Sequence, residues 1–188
     1  RLFDVNKNAL EATGWHYSQM IVWMKNSLVF GWGQLYHRIF EPCMIAWKDG
    51  QPCYRDWTFS NLDDLWTLDK KTFADHLDVW YQKRDPTNKY LHPTQKPVAL
   101  AERALKRSSQ NGDIVLDAFA GSGSTLIACE QLKRRAYCQE LDPKYCDVIV
   151  QRWVDFIGKE DIIKNGIADT WPLTKKAKHE ITKKRKNS

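Results

Sequence analysis

Several features that mark common protein classes are missing from this sequence of 188 residues. Its five cysteines form no Cys-x-x-Cys pair and its five histidines are scattered, which argues against a metal site. An odd number of cysteines without a signal peptide indicates reduced thiols, so we expect a cytoplasmic protein without a disulfide framework. No apolar run approaches the ~18 residues of a membrane-spanning helix, so we expect no membrane partner.

Excess positive charge is also missing from most of the chain, although the formal net charge is +6. Residues 174–188 contain seven Lys or Arg side chains and a single acidic one, Glu180. The rest of the chain holds 22 of the 29 basic and 22 of the 23 acidic residues, so its net charge is zero. This composition is typical of a solvated tail, and we predict a basic, disordered tail over residues 166–188.

Residues 113–125 form the most informative segment that is present, Asp-Ile-Val-Leu-Asp-Ala-Phe-Ala-Gly-Ser-Gly-Ser-Thr. The apolar run 114–116 predicts a buried strand, which Asp117 closes. The two glycines predict a tight turn before a helix over residues 124–133, because glycine permits positive φ and close approach of a ligand. The unpaired N–H groups at the start of that helix complete a cradle of the kind that binds nucleotides.

Two common nucleotide sites do not fit this segment. A phosphate-binding P-loop has a Lys after its last glycine, whereas Ser124 and Thr125 follow Gly123 here. A dinucleotide-binding loop has a third glycine three residues after the second, where this chain has Leu126. The remaining pattern places a carboxylate and an aromatic side chain beside the turn, which suits a ligand that carries positive charge and no phosphate. S-adenosylmethionine, with its ammonium and sulfonium groups, is such a ligand.

A second acidic residue follows the next predicted strand, over residues 136–139. Glu140 lies at the tip of that strand, 17 residues after Gly123, which is close to the spacing of ~20 expected for an acid that binds ribose. A carboxylate at this point of a strand–helix–strand unit is placed to accept hydrogen bonds from two ribose hydroxyls. The alternative is that Asp117 and Glu140 merely cap the helices that follow them.

Three motifs together resemble the amino-group DNA methyltransferases, which make N6-methyladenine or N4-methylcytosine. They are His92-Pro-Thr-Gln-Lys-Pro97, Asp117-Ala-Phe-Ala-Gly-Ser-Gly123 and Glu140-Leu-Asp-Pro-Lys-Tyr-Cys146. Their order resembles the permuted β-class of that family, in which the catalytic half comes first and the cofactor half last. Residues 14–25 and 40–48 look like the same family, and the resemblance covers about residues 1–157.

The resemblance implies an α/β fold, a Rossmann-like sheet of the S-adenosylmethionine-dependent methyltransferases with helices on both faces. It assigns the methionine part of the cofactor to Asp117 and the turn, the ribose to Glu140, and the adenine to Leu141. The loop 92–97 would cover the cofactor from the opposite side; the alternative is a purely structural loop that leads into a helix over residues 98–107. The predicted cofactor-binding residues are Thr94, Gln95, Lys96, Asp117, Phe119, Ala120, Gly121, Ser122, Gly123, Ser124, Thr125, Glu140 and Leu141.

The catalytic tetrapeptide of the family is Asp, Asn or Ser followed by Pro-Pro and an aromatic residue. This chain contains no Pro-Pro, so we predict no catalytic residue in it. In the family the tetrapeptide follows a strand beside the one that ends at Asp117, and without that strand an apolar neighbour would have an open edge. We therefore expect a sheet that is incomplete at the N-terminus and is completed by a missing segment or by a second chain.

The expected organisation has four parts. They are the end of the catalytic half (1–48, with strands over 17–24 and 42–47), a target-recognition insertion (49–91), the cofactor-binding half (92–165) and the tail (166–188). Within the insertion, the side chains predicted to contact DNA are Arg55, Lys70, Lys71, Lys83 and Arg84, because loops carry specificity and these groups suit phosphates and bases. The alternative is a structural insertion whose aromatic residues pack on the domain.

The sequence thus favours site-specific transfer of a methyl group from S-adenosylmethionine to an amino group of adenine or cytosine in double-stranded DNA, as in restriction-modification systems. This chain by itself is expected to be inactive. Two alternatives stay open: a non-catalytic cofactor- or DNA-binding fragment, and a methyltransferase that acts on RNA or protein.

Overall fold

A computed structural model describes residues 2–29, 38–50 and 77–186 of the chain, which divides into two compact units. The first unit comprises residues 1–84 and 106–109, and the second comprises residues 85–105 and 110–188. Within the described ranges, the first unit holds a three-stranded sheet and the second holds two two-stranded sheets.

The described part of the first unit consists of α1 (Leu2–Ala12), β1 (Trp15–Val29), β2 (Arg38–Lys48) and β3 (Val79–Tyr81). β1 and β2 form an antiparallel pair, which confirms the pair predicted from the sequence. Ile21 and Trp23 of β1 are buried, and the indole N–H of Trp23 donates to the carbonyl of Gln82 at 2.8 Å. Alternate residues of this strand therefore supply the apolar face that holds the first unit together.

The strand β3 was not predicted, since no strand was assigned to the insertion over residues 49–91. It pairs in parallel with β1, placing Trp80 opposite Trp23, and Trp80 is buried. The indole N–H of Trp80 donates to the carbonyl of Leu77 at 3.0 Å. A three-residue strand is too short to show the alternation of apolar and polar residues by which strands are recognised in a sequence. Burial of Trp80 is a tertiary interaction, which a local sequence pattern does not show.

The remaining elements follow in chain order. They are a short 3₁₀ helix (Thr87–Lys89), α2 (Val98–Ser108), β4 (Ile114–Asp117), α3 (Ser124–Gln131), β5 (Arg135–Cys138), α4 (Pro143–Ile157), β6 (Asp161–Lys164), β7 (Ile167–Thr170) and α5 (Lys175–Lys186). β4 and β5 are parallel neighbours joined through α3. This arrangement confirms the predicted strand–helix–strand unit, and α2 confirms the helix predicted over residues 98–107.

The core of the strand–helix–strand unit lies on one face of β4 and β5. Leu105, Ala128 and Cys129 are buried there, and Val115 and Ala136, which face each other in the register, pack against them. Helices α2 and α3 supply the buried residues, so both helices hold the sheet from the same side.

The opposite face of β4 and β5 is apolar and exposed. Ile114, Leu116 and Tyr137 keep 59 %, 74 % and 58 % of their surface accessible. The prediction of a buried strand is therefore wrong for Ile114 and Leu116. Successive residues of a strand point to opposite faces, and in the described part of the chain the buried cluster lies on the Val115 side alone.

Helix α4 begins after Asp142, whose Oδ1 accepts the Lys144 N–H at 2.9 Å, and ends at Gly158, which has a left-handed φ of 71°. Ile149 and Val154 are its buried residues. Phe156 of the same helix is 46 % exposed. It follows Val154 by two residues, which places it about 200° around the helix from that buried side chain.

The prediction of a disordered tail is wrong over residues 167–170 and 175–186, which form β7 and α5. α5 is fixed to α4: the backbone N–H and the hydroxyl of Thr174 each donate to the Asp155 carboxylate at 2.9 Å. Ala177 is buried, and Ile181 lies against Gly158. These two residues, one helical turn apart, form a small apolar face that a composition dominated by lysine conceals.

No helix in the described ranges is long and apolar enough to cross a bilayer. The same ranges contain no group of three His, Cys, Asp or Glu side chains arranged to hold a metal ion.

Candidate functional site

The turn between β4 and α3 is built on two glycines with left-handed backbones, φ 55° at Gly121 and φ 74° at Gly123. The Gly123 N–H donates to the Ala120 carbonyl at 2.8 Å, and Gly123 is the N-cap of α3. A Cβ added at Gly123 would lie 3.1 Å from Cγ2 of Ile149 on α4. The turn therefore needs glycine for its backbone geometry and for its packing against α4.

The ends of the two strands are tied to this turn by backbone hydrogen bonds. The Gln139 N–H donates to the Asp117 carbonyl at 2.8 Å, and the Ala120 N–H donates to the Gln139 carbonyl at 3.0 Å. In the side chain of Asp117, Oδ1 accepts the Phe119 N–H at 3.0 Å. A carboxylate at the end of β4 is thus held in a fixed orientation at the carboxyl edge of the sheet, where ligands of α/β folds bind.

Glu140 reaches back from the end of β5 to the same turn. Its Oε2 accepts the Gly121 N–H at 2.8 Å, and its Oε1 accepts the N–H groups of Leu141 at 2.9 Å and Asp142 at 3.1 Å. These backbone donors, that of Asp142 first, lower the pKa of the Glu140 carboxyl, with a smaller contribution from the nearby His92. The carboxylate is therefore ionised and fixed beside the glycine turn.

The alternative in which the two acids only cap helices does not fit this geometry. Asp142, not Glu140, is the N-cap of α4, and Gly123, not Asp117, is the N-cap of α3. Asp117 and Glu140 instead converge on the residues of the turn itself. Their arrangement leaves them available to a ligand that approaches the edge of the sheet.

Two large apolar side chains next to these acids are almost fully exposed. Phe119 keeps 92 % and Leu141 keeps 95 % of its surface accessible. Phe119 follows Asp117 by two residues, and Leu141 directly follows Glu140. Exposed apolar groups beside oriented carboxylates fit a ligand that has a flat apolar ring, hydroxyls and a cationic end. S-adenosylmethionine has these parts, so the residues present fit the cofactor predicted from the sequence.

The loop 92–97 packs against the turn and against α4. The ring of His92 lies 4.2 Å from that of Tyr145, centroid to centroid, and close to Gly121. The Thr94 hydroxyl is 3.1 Å from Nδ1 of His92, and the ammonium of Lys96 donates to the Thr94 carbonyl at 3.3 Å. The predicted residues Thr94 and Lys96 are thus exposed on a loop that the structure does bring to the turn.

Gln95 has a different position from its neighbours in the loop. It is buried, its Nε2 donates to Asp85 Oδ2 at 2.7 Å, and its Oε1 accepts the Leu91 N–H at 3.0 Å. Both ends of the amide are therefore engaged within the protein. This geometry favours the structural alternative for Gln95. The sequence around Gln95 does not by itself distinguish a residue that supports the loop from one that binds the ligand.

Ser122 and Ser124, also predicted to bind the cofactor, are buried behind the turn, while Ala120 is buried and Thr125 is half-buried. The Ser124 hydroxyl donates to the Lys96 carbonyl at 2.6 Å. Arg152 of α4 donates to the Ser122 carbonyl at 2.9 Å. Arg152 was not predicted from the sequence, because a contact across 30 residues leaves no local pattern.

The predicted DNA contacts belong to the first unit or lie outside the described residues. Arg55, Lys70 and Lys71 are among the latter. Lys83 is exposed and Arg84 is half-buried, with its backbone N–H donating to Asn26 Oδ1 at 3.0 Å. Their role stays a prediction.

The thiols near the turn are not activated. Desolvation, followed by the charges of Asp117 and Cys129, raises the pKa of Cys138 to about 11. Burial likewise raises the pKa of Cys129. Since the thiolate is the nucleophilic form, neither residue is suited to covalent catalysis at neutral pH.

Acid is expected to loosen the turn through Glu140. The folded-state pKa is lowered, so the stabilisation is complete above the ordinary value of about 4.3 and is lost as the pH falls through the lowered pKa. The amide resonance of Gly121, followed by NMR from pH 7 downwards, should titrate below that ordinary value. In Glu140→Gln this titration should disappear.

The matched control is Glu160→Gln, since backbone donation from Leu173 and contact with Lys178 also lower the pKa of Glu160. This variant should change the acid response of α5 and leave that of Gly121 unaltered. Two results contradict the role of Glu140 at the turn. One is a Gly121 resonance that titrates at the ordinary pKa of a glutamate carboxyl, and the other is a Gly121 resonance that still titrates in Glu140→Gln.

Comparison with known proteins gives a family match. Residues 2–151 match the family model N6_N4_Mtase, described as DNA methylase. The chain is 43 % identical over 65 residues to the type II methyltransferase M.HpaI of Haemophilus parainfluenzae, covering 35 % of this chain and 21 % of that protein. It is 28 % identical over 155 residues to the type II methyltransferase M.Cfr9I of Citrobacter freundii, covering 77 % of this chain and 46 % of that protein. The chain thus spans less than half the length of these curated relatives.

A solved structure with a similar fold is the crystal structure of the M1.HpyAVI–SAM complex. It matches with a TM-score of 0.63 and 26 % identity, covering 81 % of this chain and 70 % of that one. The predicted fold class, α/β and Rossmann-like, is confirmed.

Proposed function

This chain belongs to the DNA methylase family whose model it matches over residues 2–151, and on that premise we propose that it carries the cofactor site of a site-specific DNA methyltransferase. The reaction is transfer of a methyl group from S-adenosylmethionine to the exocyclic amino group of adenine (N6) or cytosine (N4), as in restriction-modification systems. One observation carries the proposal. Asp117 and Glu140 converge on a glycine turn whose flanking Phe119 and Leu141 are exposed.

In this proposal each part of the turn recognises one part of the cofactor. Asp117 and residues 119–123 hold the methionine portion, whose ammonium complements a carboxylate. Glu140 binds the ribose through one hydroxyl: Oε2 has one backbone donor, the Gly121 N–H, and retains a lone pair for a further donor. Leu141 packs on the adenine. Thr94 and Lys96 face the cofactor from loop 92–97, which Gln95 supports from behind.

Methyl transfer needs a nucleophile, and this chain is not proposed to contain the group that activates it. The cofactor supplies an electrophilic methyl group, and the residues of the turn fix its position for in-line attack. The target base must leave the duplex stack to reach the site. A Pro-Pro-aromatic tetrapeptide, absent from this sequence, would accept the hydrogens of the amino group and stack on the base.

The exposed apolar face of the second unit supports a further part of the proposal. Ile114, Leu116 and Tyr137 lie on it, and in the described part of the chain β4 pairs with β5 alone. We propose that a segment beyond these 188 residues, or a second chain, covers this face and brings the tetrapeptide. The intact mass of the cellular protein, together with its sedimentation mass, separates a longer chain from an oligomer.

The substrate class is tested by methyl incorporation. The intact protein is incubated with radiolabelled S-adenosylmethionine and equal amounts of duplex DNA, RNA or protein. Label in DNA alone supports the proposal, and mass spectrometry of the digested nucleosides then distinguishes N6-methyladenine from N4-methylcytosine. Label in RNA or protein alone contradicts it.

We place the protein in the cytoplasm, which agrees with the unpaired state of Cys43, Cys129, Cys138 and Cys146.

The second candidate is a non-catalytic binding fragment, which the absence of a Pro-Pro sequence favours. This reading requires that S-adenosylmethionine or DNA binds to the protein while no substrate becomes methylated. Calorimetric binding measured in parallel with the incorporation assay separates the two candidates. Lys83 and Arg84 are the described residues proposed to contact DNA in either case.

Truncation of the exposed side chains should separate binding from stability. Phe119→Ala and Leu141→Ala should change the free energy of unfolding by less than about 0.5 kcal/mol, because neither side chain is packed. Leu141→Ala should lose the contact with the adenine, and Phe119→Ala should lose the contact with the methionine portion, so each should weaken cofactor binding roughly tenfold. Calorimetric titration and thermal unfolding of the same samples measure both quantities.

Ile163→Ala is the matched control, because Ile163 is also apolar and 78 % exposed but lies on the hairpin of β6 and β7. It should alter neither quantity. Equal cofactor affinity in Phe119→Ala, Leu141→Ala and Ile163→Ala contradicts an adenosyl site at the turn.

A further inference from the structure

We propose that Arg152 is a positioning residue for the cofactor: it clamps the glycine turn to loop 92–97 through Ser122 and Ser124. The inference rests on the proposed cofactor site and assigns a role to a residue outside the three sequence motifs. Arg152 acts from behind the turn and is not proposed to touch the cofactor.

The clamp is visible in the hydrogen bonds of one guanidinium nitrogen. Nη1 of Arg152 donates to the Ser122 carbonyl at 2.9 Å, to the Ser122 hydroxyl at 3.1 Å and to the Ser124 hydroxyl at 3.3 Å. Both serines are buried. The carbonyl bond is the important one, because it fixes the peptide plane between the two left-handed glycines, Gly121 and Gly123.

The same clamp extends to the second segment of the site. The Ser124 hydroxyl accepts from Arg152 and donates to the Lys96 carbonyl at 2.6 Å. Loop 92–97 is therefore joined to the turn through a chain of two hydrogen bonds that starts at α4. Helix α4 also carries Tyr145, whose ring packs on His92, so one helix braces both sides of the proposed site.

The charge of Arg152 is balanced locally. Burial lowers the pKa of Arg152, while the charge of Asp85 raises it, and a guanidinium stays protonated in either case. Asp85 in turn accepts from Gln95 at 2.7 Å. Removal of one member of a buried charge pair is destabilising because the other charge stays uncompensated. The test of Arg152 therefore needs a variant that restores the charge as well as one that removes it.

The test compares Arg152→Met, which keeps volume and removes the donors, with Arg152→Lys, which restores a charged donor. Arg135→Met is the matched control, because Arg135 also donates to a backbone carbonyl, that of Gly112 at 3.1 Å, but at the other end of β5. Binding of S-adenosylhomocysteine is measured by calorimetry, and backbone order by hydrogen exchange at the amides of residues 94–96 and 121–126.

We expect Arg152→Met to weaken binding roughly tenfold to a hundredfold, as loss of a charged hydrogen-bond network predicts. Exchange should accelerate in both segments and remain at wild-type rates in α2 and β5. Arg152→Lys should recover most of the affinity, and Arg135→Met should match the wild type. Ser124→Ala should accelerate exchange at residues 94–96 in the wild-type background and add little in Arg152→Met.

Two results would overturn the proposal. One is wild-type exchange in both segments of Arg152→Met. The other is acceleration over the whole unit with no recovery in Arg152→Lys, which would mark Arg152 as a merely structural residue. If the wild-type protein binds no S-adenosylhomocysteine or S-adenosylmethionine, the proposed function fails, whereas the exchange pattern still decides whether the clamp exists.

Discussion

Asp117→Ala is expected to decrease the affinity for S-adenosylmethionine severely. The substitution removes the acceptor of the Phe119 N–H, 3.0 Å from Oδ1, and with it the negative charge at the end of β4. Loss of one member of a hydrogen-bonded charge pair costs about 2–5 kcal/mol, which corresponds to a decrease in affinity of roughly 30-fold to 5,000-fold. Calorimetric titration of the intact protein measures this decrease in affinity.

Two further variants separate the causes of that loss. Asp117→Asn keeps an acceptor for the Phe119 N–H and removes only the charge, so it should retain the turn and still bind weakly. Asp113→Ala is the matched control, since Asp113 Oδ2 accepts the Gln110 N–H at 2.8 Å in a similar turn at the opposite end of β4. Unchanged affinity in Asp117→Ala, or an equal loss in Asp113→Ala, would remove Asp117 from the site.

The strand–helix–strand unit was predictable because its signals are local. An apolar run, an acid, two glycines and a helix-forming segment lie within residues 113–133, and each predicts a local backbone conformation. Glu140 was recognised for the same reason, by its distance from Gly123. The predicted pairing of β1 with β2 likewise came from two long runs with strand composition, and the register confirms it.

The errors share a different origin, since each depends on a contact that is distant in sequence. Trp80 is ordered by pairing of β3 with β1, and α5 is ordered by Asp155 and Gly158 of α4. Arg152 reaches Ser122 across 30 residues. Burial of Leu116 was expected because it belongs to an apolar run. Whether a strand residue is buried depends, however, on which face of the sheet is covered by other elements.

Gln95 shows how a motif can be recognised while the orientation of one member is not predicted by it. The motif resembles a loop over the cofactor, and the structure does place residues 92–97 beside the turn. Within it, the amide of Gln95 is engaged by Asp85 and Leu91, so it supports the loop. A sequence motif identifies a set of residues that act together, whereas the direction of each side chain follows from packing.

Gly123→Ala is expected to destabilise the second unit more than any other glycine substitution in the turn region. A left-handed backbone, φ 74° here, costs an L-residue about 1–2 kcal/mol. The new methyl group would also lie 3.1 Å from Cγ2 of Ile149, and crowding of this kind costs about 1–3 kcal/mol. Together these effects predict a decrease of about 2–5 kcal/mol in the free energy of unfolding, with loss of cofactor binding because the turn must shift.

The chain provides a control that isolates the two costs. Gly166 has φ 78° and nothing within 4 Å of an added Cβ, so Gly166→Ala should show the conformational cost alone. The double variant Gly123→Ala with Ile149→Ala shortens the clashing side chain. The cavity it creates should cost more free energy of unfolding than relief of the clash recovers. The cofactor affinity should nevertheless return toward the wild-type value. Chemical denaturation and calorimetric titration measure both quantities. If Gly123→Ala and Gly166→Ala lose equal stability and Gly123→Ala still binds the cofactor normally, the turn does not depend on its contact with Ile149 of α4.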